Sequence, residues 1–214
     1  MGVVASNRRC GRVDPRGRRA YLYDVAPSSA ARLLFRPFRT YDALAQASEE
    51  DAPTVLGGVA RLLFVIGAFV SLTATGRLAP FELAVAMGSY AYVPLAQLVA
   101  VTFAVRAVSR KVSLRRAHAF YLAGHGPWFL MLLGIALVCL IAPSPATVLF
   151  AVLPKALPLT FVWSGILTYA CFKRGLGLGT RGAGVGVAIY VAALTSIILG
   201  YYVAMGQLGP LFKH

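Results

Sequence analysis

Beyond residue 54 the chain consists almost entirely of long apolar runs, separated by short segments rich in turn-forming or basic residues. The five runs lie near 56–76, 81–106, 118–142, 147–172 and 183–205. Each is long enough to cross about 30 Å of hydrocarbon as a helix that rises about 1.5 Å per residue. Because the separators are short, successive helices should be antiparallel neighbours. The pattern therefore predicts an all-α fold, a polytopic membrane bundle of five transmembrane helices.

The segment 28–46, which precedes the first run, is amphipathic instead. As a helix it places Leu34, Phe38, Tyr41 and Ala45 on one face and Arg32, Arg36 and Arg39 on the other. Pro37 should interrupt or restart this helix. We predict an N-terminal interfacial amphipathic helix on the cytoplasmic leaflet, with anionic lipid headgroups as partners. The expected membrane-surface contacts are Arg32, Arg36, Phe38, Arg39 and Tyr41. The alternative is a helix docked on the cytoplasmic ends of the spans.

The distribution of charge orients the helices. Only 13% of residues are charged and 58% are apolar, and the formal net charge of +14 is concentrated at the ends of the apolar runs. This placement argues against nucleic-acid binding, which requires a basic face on a soluble fold. The connectors 106–116 and 173–181 are rich in Lys and Arg, so the positive-inside rule puts them and the N-terminus in the cytoplasm and the C-terminus outside.

These patterns divide the chain into four regions. We expect a disordered basic cytoplasmic tail at 1–27, an interfacial segment and linker at 28–54, the five-helix transmembrane domain at 55–206 and a short exterior tail at 207–214. The excess of Arg over Lys and the abundant Ala are typical of a GC-rich bacterial genome. The predicted location is therefore the bacterial inner membrane, with the lipid bilayer as the main partner.

Small residues recur at every fourth position of the fifth run. They are Gly184, Ala188, Ala192, Ser196, Gly200 and Ala204. On a helix this spacing forms a groove along one face, into which a neighbouring helix can pack closely. The sequence leaves open whether that helix belongs to the same chain, to another membrane protein or to a second copy.

Polar residues inside the apolar runs are candidates for function because burying them in lipid is costly. Gln97, His125 and Ser164 come to similar depth on the second, third and fourth runs, so we predict one hydrogen-bonded layer. Gly124, Gly126 and Pro127 should kink the helix at this point. We interpret the layer as packing between helices, with a proton relay or ligand contact as the alternative.

Lys155 and Glu82 are the other candidates for an intramembrane polar site. Lys155 lies between Pro154 and Pro158, which should bend or partly unwind the fourth helix, and Glu82 is the one acid after residue 51. The two side chains could pair in an outward-facing cavity. Alternatively, Lys155 reaches the membrane surface on its own and Glu82 sits favourably near the start of its helix.

Catalytic motifs are absent from the sequence. It contains no HExxH, GxSxG or paired carboxylates, and the cysteines do not form a CxxC pair. We therefore predict no catalytic residues, no metal or cofactor site and no enzymatic activity. A lipid-modifying enzyme would need a nucleophile, base or metal site that the sequence does not show, and Ser164 and His125 within hydrogen-bonding reach of a cytoplasm-facing cleft would favour it.

The stretch from Leu34 to Leu44 contains the pattern Pro-x-x-x-aromatic-x-x-Leu, formed by Pro37, Tyr41 and Leu44. Together with five spans and a cytoplasmic N-terminal tail, over roughly residues 28–205, it resembles the Yip1-domain family, in particular its divergent prokaryotic members. The resemblance implies a non-enzymatic membrane protein with a scaffold or membrane-organising role. A small transporter or permease subunit that uses the polar intramembrane residues is the alternative.

Overall fold

A computed structural model describes residues 28–47, 53–141 and 145–208, and throughout these ranges the fold is all-α. The helices are α1 Ser28–Phe35, α2 Pro37–Gln46, α3 Val55–Thr75, α4 Pro80–Ser89, α5 Tyr92–Val108, α6 Leu114–Ala123, α7 Gly126–Ile141, α8 Pro145–Ala170 and α9 Gly179–Leu208. A π-helical turn, Cys171–Gly175, extends α8. The tail expected at 1–27 lies outside the described residues, as do residues 209–214 of the tail expected at 207–214, whereas 207 and 208 end α9.

Five helical segments are long and apolar enough to cross a membrane, as the sequence predicts. They cover Val55–Thr75, Pro80–Val108, Leu114–Ile141, Leu149–Gly175 and Gly179–Gly206. We number them spans 1 to 5. Their length and composition make the chain a multi-pass membrane protein.

Spans 2 and 3 are each built from two helices. Span 3 breaks between α6 and α7 at Gly124 and His125, where a kink is predicted. Span 2 breaks after Tyr90, which was not predicted. The second break has a local cause, because Pro94 has no N–H to bond the Tyr90 carbonyl, and the Val93 N–H bonds this carbonyl instead at 3.0 Å.

The ends of span 1 show the expected helix signals. The Thr54 hydroxyl accepts from the Gly57 N–H at 3.1 Å and caps the start of α3. Gly76 follows the last turn with φ 72°, a left-handed conformation that favours glycine, and its N–H bonds the Leu72 carbonyl. These two residues set the length of span 1 at 21 residues.

Most of the packed core lies at one end of the bundle, which we call the basic end. It comprises α1, α2, the loops 109–113 and 176–178 and the adjoining helix ends, and it carries most of the described Lys and Arg residues. There α9 packs along α5, and side chains of α2, α6 and the π-helical turn interlock. Toward the opposite end, α3 packs against α4 and α7, and α7 packs against α8.

Spans 4 and 5 present wide apolar surfaces. Phe150 of α8 is 83% exposed, and Leu199 of α9 is 60% exposed. Such surfaces are compatible with a lipid solvent rather than with water. The helix α8 runs continuously through Pro154 and Pro158, so the unwinding expected there does not occur.

The N-terminal element is two helices, because Pro37 ends α1 and starts α2 at its first position. It is docked on the bundle. Tyr41 is fully buried, and Phe38 packs edge-on against Tyr169 with ring centroids 6.3 Å apart. The expectation that Tyr41 contacts the membrane surface is therefore wrong, because its side chain is enclosed by protein. Arg32, Arg36 and Arg39 are exposed, and their contact with lipid stays a prediction.

Candidate functional site

The predicted polar layer is built around the break in span 3. The imidazole Nε2 of His125 lies 3.0 Å from Oε1 of Gln97, which joins span 3 to α5 of span 2. His125 is 3% exposed and the His125 carbonyl accepts from the Phe129 N–H, so the residue is fixed where α7 begins. Two of the three predicted members of the layer therefore contact each other.

Ser164, the third predicted member, is not joined to them. Its hydroxyl is buried, and neither this oxygen nor the second imidazole nitrogen of His125, Nδ1, has a hydrogen-bond partner among the described residues. The layer thus contains two unsatisfied polar atoms. Ser164 and His125 are therefore not hydrogen-bonded to each other.

The layer continues through two tyrosines, Tyr121 and Tyr190, that were not predicted to belong to it. The hydroxyl groups of Tyr121 and Tyr190 are hydrogen-bonded, which links span 3 to span 5. The Tyr121 ring packs edge-on against the His125 ring, with centroids 5.0 Å apart. Tyr121 lies one helical turn before His125, so the i, i+4 spacing was the signal for it. No local signal marks Tyr190, because its partner is 69 positions away.

A second cross-helix contact lies nearer the basic end. The Thr102 hydroxyl of span 2 is 2.9 Å from Nε2 of His118 in span 3, and it also donates to the Leu98 carbonyl at 2.8 Å. Spans 2 and 3 are therefore joined by polar contacts at two levels. Such bonds between helices are worth about 1–2 kcal/mol each in a membrane.

Helix packing buries most of the layer, although Gln97 is partly exposed. Tyr121 and Tyr190 are 7% and 8% exposed, and His125 is less exposed still. Two clefts of about 240 and 470 Å³ lie elsewhere, beside α3 and α4, and neither is lined by Gln97, His125 or Ser164. Neither cleft therefore provides the hydrated passage through the polar layer that a transporter would need.

Glu82 and Lys155 do not form an ion pair. Glu82 is half-buried in the smaller cleft, where one of its carboxylate oxygens lies 3.4 Å from the Thr75 hydroxyl. Lys155 is exposed on α8. Within the described ranges the one ion pair joins Arg174 to Asp42 at 4.0 Å. The structure therefore keeps the two predicted partners apart.

The small-residue face of span 5 points away from the rest of the chain. All six of its residues are exposed: Gly184, Ala188, Ala192, Ser196, Gly200 and Ala204. A Cβ atom added at Gly184 or Gly200 would meet nothing within 4 Å. This rules out a partner helix from the described part of the same chain. The other two candidates, a second copy and another membrane protein, remain.

Comparisons with known families, curated proteins and solved structures found no match. The Yip1-domain resemblance therefore stays a prediction. The described residues contain no group of three or more His, Cys, Asp or Glu side chains that could hold a metal ion.

Proposed function

We propose that the protein is a non-enzymatic, Yip1-like membrane scaffold of the bacterial inner membrane, which acts by self-association along span 5. The basic end faces the cytoplasm in this proposal, as the positive-inside rule favours. The observation that carries the proposal is the uncovered row of small residues on α9, whose six members are all exposed.

The dimensions of this face suit a helix partner in the membrane. Gly184 and Ala204 are 20 positions apart, which corresponds to about 30 Å along a helix and so to the full thickness of the hydrocarbon. In lipid, helices associate through close packing of small residues, because burying apolar surface gives no advantage there. A face of this kind can also pack against itself about a two-fold axis.

Ser196 favours a protein partner over lipid. Its side chain is exposed in the middle of span 5, and it has no hydrogen-bond partner among the described residues. Lipid tails cannot bond a hydroxyl group, whereas the same serine on a second copy can. We therefore propose that a second copy of the chain packs against the small-residue face. The experiment below also distinguishes a different membrane protein as the partner.

Burial of most of the polar layer supports a scaffold over a transporter. Gln97 and His125 bond to each other across two spans, and neither residue lines the 240 or the 470 Å³ cleft. Transport would require these side chains to be hydrated in at least one state. As packing contacts they instead hold spans 2 and 3 together, and the Tyr121–Tyr190 hydrogen bond adds span 5, which is what a rigid scaffold needs.

The test uses the full chain, labelled with donor or acceptor fluorophores and reconstituted at low density into phosphatidylethanolamine–phosphatidylglycerol vesicles. Energy transfer should depend on the protein-to-lipid ratio as expected for a reversible dimer. Replacing Ala192 and Ser196 with leucine should weaken association at least about tenfold, since overpacking an interface costs about 1–3 kcal/mol. The matched control is Ala151→Leu, at an exposed alanine of span 4, which should leave association unchanged.

Two results would overturn the proposal. The first is energy transfer no greater than that of a monomer at every ratio. The second is solute flux into the same vesicles that His125→Ala abolishes, which would favour the transporter. If energy transfer appears only after a membrane extract is added, the partner of span 5 is a different membrane protein and not a second copy of this chain.

A further inference from the structure

The larger cleft, about 470 Å³, results from the break in span 2. Helix α4 packs along α3, but after Tyr90 the chain continues as α5, which packs mainly against α9 and touches α3 only slightly. The half of α3 nearer the basic end is thus left uncovered on this side. The cleft is lined by Ala60, Arg61, Phe64, Val65, Met87 and Phe129.

Arg61 is the one charged residue of this lining. It lies six positions after Val55, the first residue of α3, which places its Cα about 9 Å into the span. The side chain turns back toward the basic end, because its Nε donates to the Gly57 carbonyl at 3.1 Å. The terminal guanidinium nitrogens have no ion-pair or hydrogen-bond partner among the described residues. The guanidinium, unpaired among the described residues, therefore lies beside an apolar cleft, near the end of span 1 that belongs to the basic end.

The rest of the lining suits a hydrocarbon chain. Phe64 is exposed toward the cleft, Phe129 forms another part of its wall, and Met87 lies at the end of α4. No carboxylate lines the cleft, so a lipid amine would find no partner there. The charge of the site is complementary to a lipid with a net negative headgroup.

We propose that this cleft binds one anionic glycerophospholipid of the leaflet at the basic end, with its phosphate on the Arg61 guanidinium and an acyl chain against Phe64 and Phe129. Arginine forms paired hydrogen bonds with a phosphate, which suits this side chain to a lipid headgroup. The proposal does not rest on self-association, because the small-residue face lies on α9 and the cleft on α3, α4 and α7.

The experiment measures lipid retention by native mass spectrometry of the full protein, released from mild detergent after titration with phosphatidylglycerol or phosphatidylethanolamine. The wild type should hold one phosphatidylglycerol at least about tenfold more tightly than phosphatidylethanolamine, a difference of about 1.4 kcal/mol. Arg61→Gln should remove this preference. Arg110→Gln, which removes an exposed arginine of the 109–113 loop, is the matched control and should retain it.

A second variant separates binding in the cleft from simple attraction to positive charge. Ala60 is exposed and lines the cleft, so Ala60→Trp should fill it, lower phosphatidylglycerol binding about tenfold and leave the guanidinium in place. Ala151→Trp, on span 4, should have no effect. Equal binding by wild type and both cleft variants would overturn the proposal. Full competition by free glycerol phosphate, with no dependence on an acyl chain, would also overturn it and would assign the site to a soluble phosphate.

Discussion

Substituting Tyr41 with phenylalanine tests the contact that fixes the N-terminal helices to the spans. The Tyr41 hydroxyl donates to the Phe120 carbonyl at 3.1 Å, and the whole side chain is buried. This carbonyl lies near the end of α6, where the Gly124 N–H bonds to the Tyr121 carbonyl at 3.0 Å instead of continuing the helical pattern. Tyr41 therefore supplies the donor that the break in span 3 takes away from Phe120.

The expected loss follows from this geometry. Tyr41→Phe leaves a buried carbonyl without a partner, which costs about 1–3 kcal/mol. Tyr41→Ala also creates a cavity, so its cost should reach about 3–5 kcal/mol. The control is Phe35→Ala, which removes an aromatic side chain that is 79% exposed on α1 and should change stability by less than about 0.5 kcal/mol.

The assay is thermal unfolding in detergent, combined with hydrogen exchange of the residues in α2. Each kcal/mol lowers the Tm by about 2–4 °C in a chain of this size. Exchange in α2 should accelerate in both Tyr41 variants while the spans stay protected. A Tyr41→Phe protein with wild-type Tm and wild-type protection of α2 would refute the argument, as would an equal loss in Phe35→Ala.

Three further perturbations probe the same contacts. Gly124→Ala should lower the free energy of unfolding by about 1–3 kcal/mol, because its Cβ would lie 2.7 Å from the Tyr41 hydroxyl. The double variant Gly124→Ala/Tyr41→Phe lacks this hydroxyl and should recover part of the loss. Thermal unfolding of the wild type, both single variants and the double variant measures the recovery. Burial raises the pKa of Tyr41 well above its ordinary 10.0, so the unfolded chain loses this proton first. The stabilisation that comes from Tyr41 should therefore be complete below pH 10 and decline above it, so the Tm should fall less steeply above pH 10 in Tyr41→Phe than in the wild type. Gln97→Leu should cost about 1–2 kcal/mol, since it removes the partner of His125, and a double-mutant cycle with His125→Leu should show coupling between the two residues.

The five spans could be predicted because the bilayer imposes their length and composition. The kink at His125 was also predictable, since Gly124, Gly126 and Pro127 surround it. The break after Tyr90 was missed although Pro94 accounts for it, whereas Pro154 and Pro158 leave α8 continuous. Local sequence therefore does not decide which proline interrupts a helix, because packing around the freed carbonyl contributes as well.

The candidate site was only partly predictable for a related reason. Depth along a span can be counted from its end, so Gln97 and His125 were assigned correctly to one layer. Rotation about the helix axis depends on neighbouring spans, and in this fold Ser164 makes no hydrogen bond to either of them. The same limit applies to Tyr41, whose aromatic ring fits a membrane surface as well as it fits the buried site between Phe120 and Gly175 that the fold provides.

Cysteine cross-linking along α9 tests the proposed self-association most directly. The background variant has Cys10 replaced by serine and keeps the buried Cys139 and Cys171. Single cysteines are then introduced in turn at Ala192, Ser196 and Gly200. The control position is Val191, which is 52% exposed and lies beside the small-residue face. Oxidation in native membranes should produce disulfide-linked dimers from the small-residue positions and little or none from Val191. Equal cross-linking at all positions, or none at any of them, would contradict the account.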